Sequence, residues 1–325
     1  MGIWTDKAFG IDLSHWQASA TLAEGSADFV ICKCGGSDAG VYKDDRFAQH
    51  VQAAYDAKAL VMAYWYVDSR YYTNRQMTMQ NVTNQSNDQH PILQAILESM
   101  HAGTGWKAVS CLFLDVEDGT AGDVWDMTYC EDLRNRIAAL RAAGKFPNIP
   151  LGIYSRSGIV DARPALRTWV EQHPELVVWT ANYLMAFPGL TATNLAQVKE
   201  QRLPLTTQAP RWFGDNPAKP KTFKRFWQYH GSFAGGQPVT CPEILGGGGA
   251  PSALDLDVSE YTRAEMFAAF NATDRLGAID PGDPPTGDPD LATLTKRVDD
   301  LETMYNDLAA HMNALQVRAD KHIAP

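Results

Sequence analysis

No apolar run in the sequence approaches the roughly 20 residues needed to cross a bilayer, which excludes a helical membrane-spanning protein. The opening Met1-Gly2-Ile3-Trp4-Thr5-Asp6 lacks the basic and then apolar segments of a Sec-type signal peptide. Work outside the producing cell would therefore call for another route of release. Positive charge is scarce, with 28 Lys and Arg against 38 Asp and Glu and a net charge of −10. Non-specific nucleic-acid binding depends on clustered cations, so no nucleic-acid partner is expected, and anionic membranes offer no attraction. Cysteine is sparse as well. Cys32 and Cys34 alternate on an expected strand, while Cys111, Cys130 and Cys241 stand apart. That spacing suits neither a disulfide framework nor a zinc site, and buried free thiols are expected.

What is present is a long globular chain of 325 residues, 45% of them hydrophobic. Short apolar runs read as strands at 9–12, 29–34, 60–66, 110–116, 151–154, 177–179, 225–228 and 254–258. Most are nearly continuous, as strands covered on both faces should be. Helical stretches fall between several of them, at 46–58, 76–87, 131–143, 162–172 and 194–200. Strands alternating with helical crossovers over about 260 residues predict an α/β fold, a TIM-like barrel with fewer helices late in the chain. Two Pro-, Gly- and polar-rich segments, 186–224 and 231–253, read as long loops.

The barrel is expected to occupy residues 1–273. Residues 274–290 contain Asp280-Pro281-Gly282-Asp283-Pro284-Pro285 and read as a stiff linker. Behind it Leu291, Leu294, Val298, Leu301, Tyr305, Leu308, Met312, Leu315 and Ala319 follow the 3-4 spacing of a coiled-coil seam. A helix at 291–321 with that stripe needs a partner surface. A homo-oligomer through 291–319 is the main expectation, as dimer or trimer, with a single helix docked on the barrel as the alternative.

In a barrel of this kind, active sites sit at the C-terminal strand ends. Leu112-Phe113-Leu114-Asp115-Val116-Glu117 ends an apolar run in two acids at i and i+2. On a strand they project to one side, about 6.5–7 Å apart. Asp12 ends the first strand, and Asp255 lies on the last, which neighbours the first in a closed barrel. Acids converging on one cleft raise one another's proton affinity, which suits general acid chemistry. Tyr64, Trp65, Tyr66, Tyr154, Trp179 and Trp227 lie on the other strands, and aromatic rings beside carboxylates suit a glycan site. His15 follows Asp12 as a residue that orients a carboxylate or packs as a core histidine.

These motifs resemble the glycoside hydrolase family 25 lysozymes, the Chalaropsis-type muramidases. Gly10-Ile11-Asp12-Leu13-Ser14-His15-Trp16-Gln17 is similar to the family's opening G-I-D-V-S-H-W-Q. Tyr42-Lys43-Asp44-Asp45-Arg46-Phe47 resembles Y-K-D-D-R-F, and Leu114-Asp115-Val116-Glu117 resembles L-D-x-E. Phe226-Trp227-Gln228-Tyr229 resembles F-W-Q-Y, and Leu254-Asp255-Leu256-Asp257 resembles V-D-x-N. The five motifs keep the family's order over roughly residues 8–270. The resemblance implies a (β/α)5(β)3 barrel that cleaves the β-1,4 bond between N-acetylmuramic acid and N-acetylglucosamine in peptidoglycan, with no metal or cofactor. It places Glu117 at the general acid, Asp115 at its partner that steadies the 2-acetamido group, and Asp12 and Asp255 at two further cleft acids.

Three departures stand out. The second strand reads Lys33-Cys34-Gly35-Gly36-Ser37 where the family has K-A-T-E-G, so a cleft Glu is missing. Tyr64-Trp65-Tyr66 replaces Y-H-F, and Asp257 replaces an Asn. No wall-binding repeat follows the barrel. The expected setting is a phage enzyme, released by a holin or carried in a virion. The alternative is a particle protein that holds glycan without cutting it.

Overall fold

A computed structural model describes residues 7–17, 22–37, 40–67, 86–87, 90–102, 105–117, 123–156, 158–159, 162–183, 190–192, 194–201, 224–230, 239–241 and 254–272. The chain divides into two units, Met1–Ile279 and Asp280–Pro325, and every described residue belongs to the first. The linker at 274–290 and the heptads at 291–321 lie outside the described residues, as does 76–85 of one expected helix. The elements run in the order β1 (Phe9–Leu13), β2 (Phe29–Gly36), β3 (Tyr42–Lys43), α1 (Phe47–Asp56), β4 (Leu60–Tyr66), α2 (Pro91–His101) and α3 (Gly105–Ala108). They continue as β5 (Val109–Asp115), α4 (Asp123–Ala142), β6 (Leu151–Arg156), α5 (Pro164–Gln172), β7 (Val177–Ala181) and β8 (Leu190–Thr191). Last come α6 (Leu195–Gln201), β9 (Lys224–His230), β10 (Val239–Thr240), β11 (Asp255–Ser259) and α7 (Arg263–Ala269).

Eight strands close a barrel in the order β1-β2-β4-β5-β6-β7-β9-β11 and back to β1. Neighbours from β1 through β9 pair in parallel, while β11 runs antiparallel to both β9 and β1. Among the described residues, helices follow β2, β4, β5, β6 and β7. Alternation along the strands makes two layers. Phe29 and Ile31, Leu60 and Met62, Phe113, Trp179 and Phe226 fill the barrel interior with Met266, Phe267 and Phe270. Those last three bring α7 and the residue after it against the barrel's N-terminal end as a floor. The other face carries Val30, Cys32, Val61, Leu112, Leu114 and Val178, packed on Val51, Ile96, Leu133 and Leu166 of the helices.

Gly10 is dictated by this packing, because a Cβ there would stand 2.2 Å from the ring of Phe29. All five cysteines are buried and free. Among the described residues no helix is long and apolar enough to cross a membrane. Three helices, α2, the single-turn α3 and α7, fall where the sequence pattern predicts none. In α2 the cap is the His90 side chain, which accepts from the backbone N–H of Leu93, a weaker start signal than Ser or Asp. A capping box of Thr262 and Glu265 opens α7. The two long loops are linked where β8 pairs in parallel with β10. The second of them, between β9 and β11, both leaves and rejoins the barrel at the mouth.

Candidate active site

The C-terminal ends of the parallel strands form the mouth of the barrel, and β11 reaches it by its first residue. Asp255 opens β11 and pairs in register with Asp12 of β1. This is why the two acids meet: β11 runs against its neighbours, so its beginning lies beside their ends. Asp12, Asp115 and Asp257 are buried, at 6%, 3% and 0% exposure. Burial, and then the charges of Asp255 and Asp257, push the Asp12 carboxyl well above the usual range, while a hydrogen bond from Gln228 opposes the rise. Asp257 is raised by burial and by Asp255, against the bond that the Trp179 indole N–H donates to it over 2.8 Å. The Asp12 side chain opposes the rise at Asp257, whose Oδ2 is buried without a hydrogen-bond partner among the described residues.

Asp115 ends β5, and Glu117 lies two residues beyond the strand. The strand ends at Asp115, with the Val116 N–H still donating to the carbonyl of Tyr154. The Glu117 carboxyl is near enough to favour the protonated form of Asp115, whose Oδ1 is buried without a hydrogen-bond partner among the described residues. Burial raises Asp115 most, Glu117 adds to it, and the charges of Lys33 and Arg156 lower it. Arg156, at the end of β6, donates from Nε over 2.9 Å and from a terminal nitrogen over 2.6 Å, both to Oε2 of Glu117.

The aromatic residues separate by strand parity. Tyr64, Tyr154 and Trp179 face the interior beneath the acids, with the Tyr154 and Trp179 rings 4.2 Å apart. Tyr66 shares the parity of Tyr64 and lies 5.1 Å, ring centre to ammonium, from Lys33. Trp65 and Trp227 belong to the outer layer and are fully buried there, so the expectation that they line the substrate cleft is corrected. Both sit one residue from an inward-facing neighbour, and the pleat turns them toward the helices. Trp227 donates its indole N–H to the carbonyl of Asn182. His15 is half-exposed at the mouth, and its backbone N–H donates to Asp44 over 2.9 Å with its ring nitrogen 3.3 Å from the same oxygen. It orients no cleft carboxylate among the described residues. Its neighbour Trp16 is 59% exposed, with its ring 4.5 Å from the imidazole.

Three contributors lie outside the sequence-predicted set. Gln228 donates to Asp12 over 2.7 Å and accepts from the hydroxyls of Tyr154 at 2.7 Å and Tyr183 at 3.0 Å. Its signal was its place in the F-W-Q-Y motif. Lys33 sits among the rings of Tyr42, Tyr64 and Tyr66. Tyr42 also takes the space of the missing Glu, since a Cβ on Gly36 would stand 2.7 Å from its hydroxyl. Arg156 carried no signal, because an arginine ending a strand is ordinarily a solvated charge. A cleft with buried, proton-retaining carboxyls beside an ion-paired one can donate a proton and hold a cationic centre.

No family model matches the sequence, and no curated protein matches it. Solved structures do. The spore cortex lytic enzyme SleM of Clostridium perfringens is 16% identical, with a TM-score of 0.50 over 78% of this chain and 67% of that one. A lysozyme from Streptomyces coelicolor is 19% identical, with a TM-score of 0.48 over 82% of this chain and 98% of that one. The catalytic domain of the endolysin ply40, from bacteriophage P40 of Listeria monocytogenes, is 13% identical, with a TM-score of 0.43 over 82% and 98%. The chain shares its barrel fold with the spore cortex lytic enzyme.

Proposed function

We propose that this chain is a family 25 glycoside hydrolase that cleaves peptidoglycan between N-acetylmuramic acid and N-acetylglucosamine. The observation that carries the reading is the gathering of Asp115 and Glu117 from the end of β5 with Asp12, Asp255 and Asp257 at one barrel mouth, where each acts on its neighbours' proton affinity. The five ordered motifs support it, and so does the fold shared with a spore cortex lytic enzyme.

Asp115 and Glu117 come from one strand end, and we assign them to the same side of the sugar rather than to an acid and nucleophile pair flanking the bond. They act from one side. Asp115 passes its proton to Glu117, and Glu117 donates a proton to the glycosidic oxygen as the bond to the anomeric carbon breaks. Asp115, then anionic, accepts the N–H of the 2-acetamido group. The acetamido oxygen closes on the anomeric carbon from the opposite face. Water then opens that ring, returning a proton to the carboxyl pair. Asp255 adds negative potential beneath the positive charge that develops on the sugar, with the proton-retaining Asp12 beside it.

The heptads at 291–319 support assembly of several copies, a form suited to a phage particle or a holin-released lysin. The test is release of reducing ends and muropeptides from purified peptidoglycan by the full chain and by Glu117→Gln. The wild type should cut and the variant should lose at least about 100-fold in rate. Equal rates in the two would sink the role of Glu117, and no release by the wild type would sink the hydrolase.

A further inference from the structure

The mouth is lined with carboxyl groups, yet peptidoglycan carries carboxylates of its own, on its stem peptides and on lactyl groups that bear no peptide. An anionic glycan must meet a cation there. Lys33 and Arg156 are the cations that act on Asp115. Lys33 is committed elsewhere, standing 5.6, 5.8 and 5.1 Å from the ring centres of Tyr42, Tyr64 and Tyr66. Arg156 differs in position and geometry. Its side chain is 52% exposed, and it lies at the mouth end of β6 with Glu117 beside it.

Its two bonds converge on a single oxygen of Glu117. A guanidinium has five N–H donors and fits a carboxylate best when each of two nitrogens meets its own oxygen. Contact of both nitrogens with one oxygen leaves that fork pairing unfilled. A half-exposed ion pair of this kind adds little to stability, so fold maintenance does not account for it. It does place a donor-rich group next to the proposed proton donor.

We propose that Arg156 is a specificity-determining residue that binds a carboxylate of the glycan beside Glu117, making the site prefer anionic over neutral N-acetylated sugars. The inference rests on the peptidoglycan reading for the identity of the sugar. The carboxylate belongs either to the lactyl ether of muramic acid or to the attached peptide, and the same fork serves both.

The test uses the full chain and disaccharides short enough to escape cutting. Dissociation constants are measured calorimetrically for N-acetylglucosaminyl–N-acetylmuramic acid, its primary amide, its dipeptide conjugate and chitobiose. The wild type should hold the acid about tenfold more tightly than the amide, the scale of one added charge-assisted contact. Arg156→Gln should bring that ratio close to one, and Arg156→Lys should keep part of it. Preference for the free acid marks the lactyl carboxylate as the group bound; preference for the dipeptide conjugate marks the peptide. Equal ratios in wild type and Arg156→Gln, no preference in the wild type, or no binding of any probe would each overturn the proposal. An Arg156-dependent preference in a protein that releases nothing from peptidoglycan would leave this assignment standing and remove the hydrolase reading instead.

Discussion

Asp257 offers a direct measure of what buried charge costs this barrel. It is completely buried, its Oδ1 accepts the Trp179 indole N–H, its Oδ2 has no hydrogen-bond partner among the described residues, and burial holds its proton affinity well above the usual range. Asp257→Asn would put a permanent amide N–H where a titratable proton now sits. The amide oxygen would keep the Trp179 bond and the nitrogen would donate to Asp12. Raised carboxyl groups in the folded state bind protons that the unfolded chain has released, so stability falls as pH rises past the ordinary carboxylate range. The cost is absent below about pH 4 and grows toward pH 8. A buried group left without its hydrogen bond costs about 1–3 kcal/mol. The Asn variant should therefore be about 1–3 kcal/mol more stable than wild type at pH 8, or roughly 3–8 °C in midpoint. At pH 4 the difference should vanish to within about 0.5 kcal/mol. Urea unfolding followed by tryptophan fluorescence across this range reads both. A variant no more stable at pH 8, or equally improved at both pH values, would refute the buried-charge account.

Gln228→Leu removes the donor to Asp12 and the acceptor of two tyrosine hydroxyls, which can then turn to each other. The expected loss is about 2–4 kcal/mol by urea midpoint, and under 1 kcal/mol would show the network to be slack. Gly10→Ala drives a Cβ into the Phe29 ring and should cost about 1–3 kcal/mol. Gly158→Ala is its control, since nothing lies within 4 Å of a Cβ there, and a matching loss would dismiss the packing argument.

The strands were legible because each is a nearly continuous apolar run, and only strands covered on both faces read that way. The direction of β11 was not, since apolar pattern carries no sign. The meeting of Asp12 and Asp255 followed from closure, but its register depends on that reversal. Parity was available and informative: Tyr64 and Tyr66 fall on one side of β4, and Trp65 must fall on the other. The burial of Trp227 follows from the same rule through its neighbour Gln228. Arg156 was out of reach, because its meaning comes from Glu117, which lies 39 residues earlier in the chain.

The reversed last strand also governs how the molecule comes together. Phe9 of β1 pairs with Val258 of β11, so the first and last strands of the ring are hydrogen-bonded neighbours. During synthesis, seven strands can be laid down while the ring stays open between β1 and β9. Both open edges then wait for one segment, and the floor residues Met266 and Phe267 follow immediately behind it. Closure is thus a single late event that joins contacts about 250 residues apart, the kind that makes folding slow. A chain interrupted before Ser259 would expose two strand edges at once and be prone to aggregate.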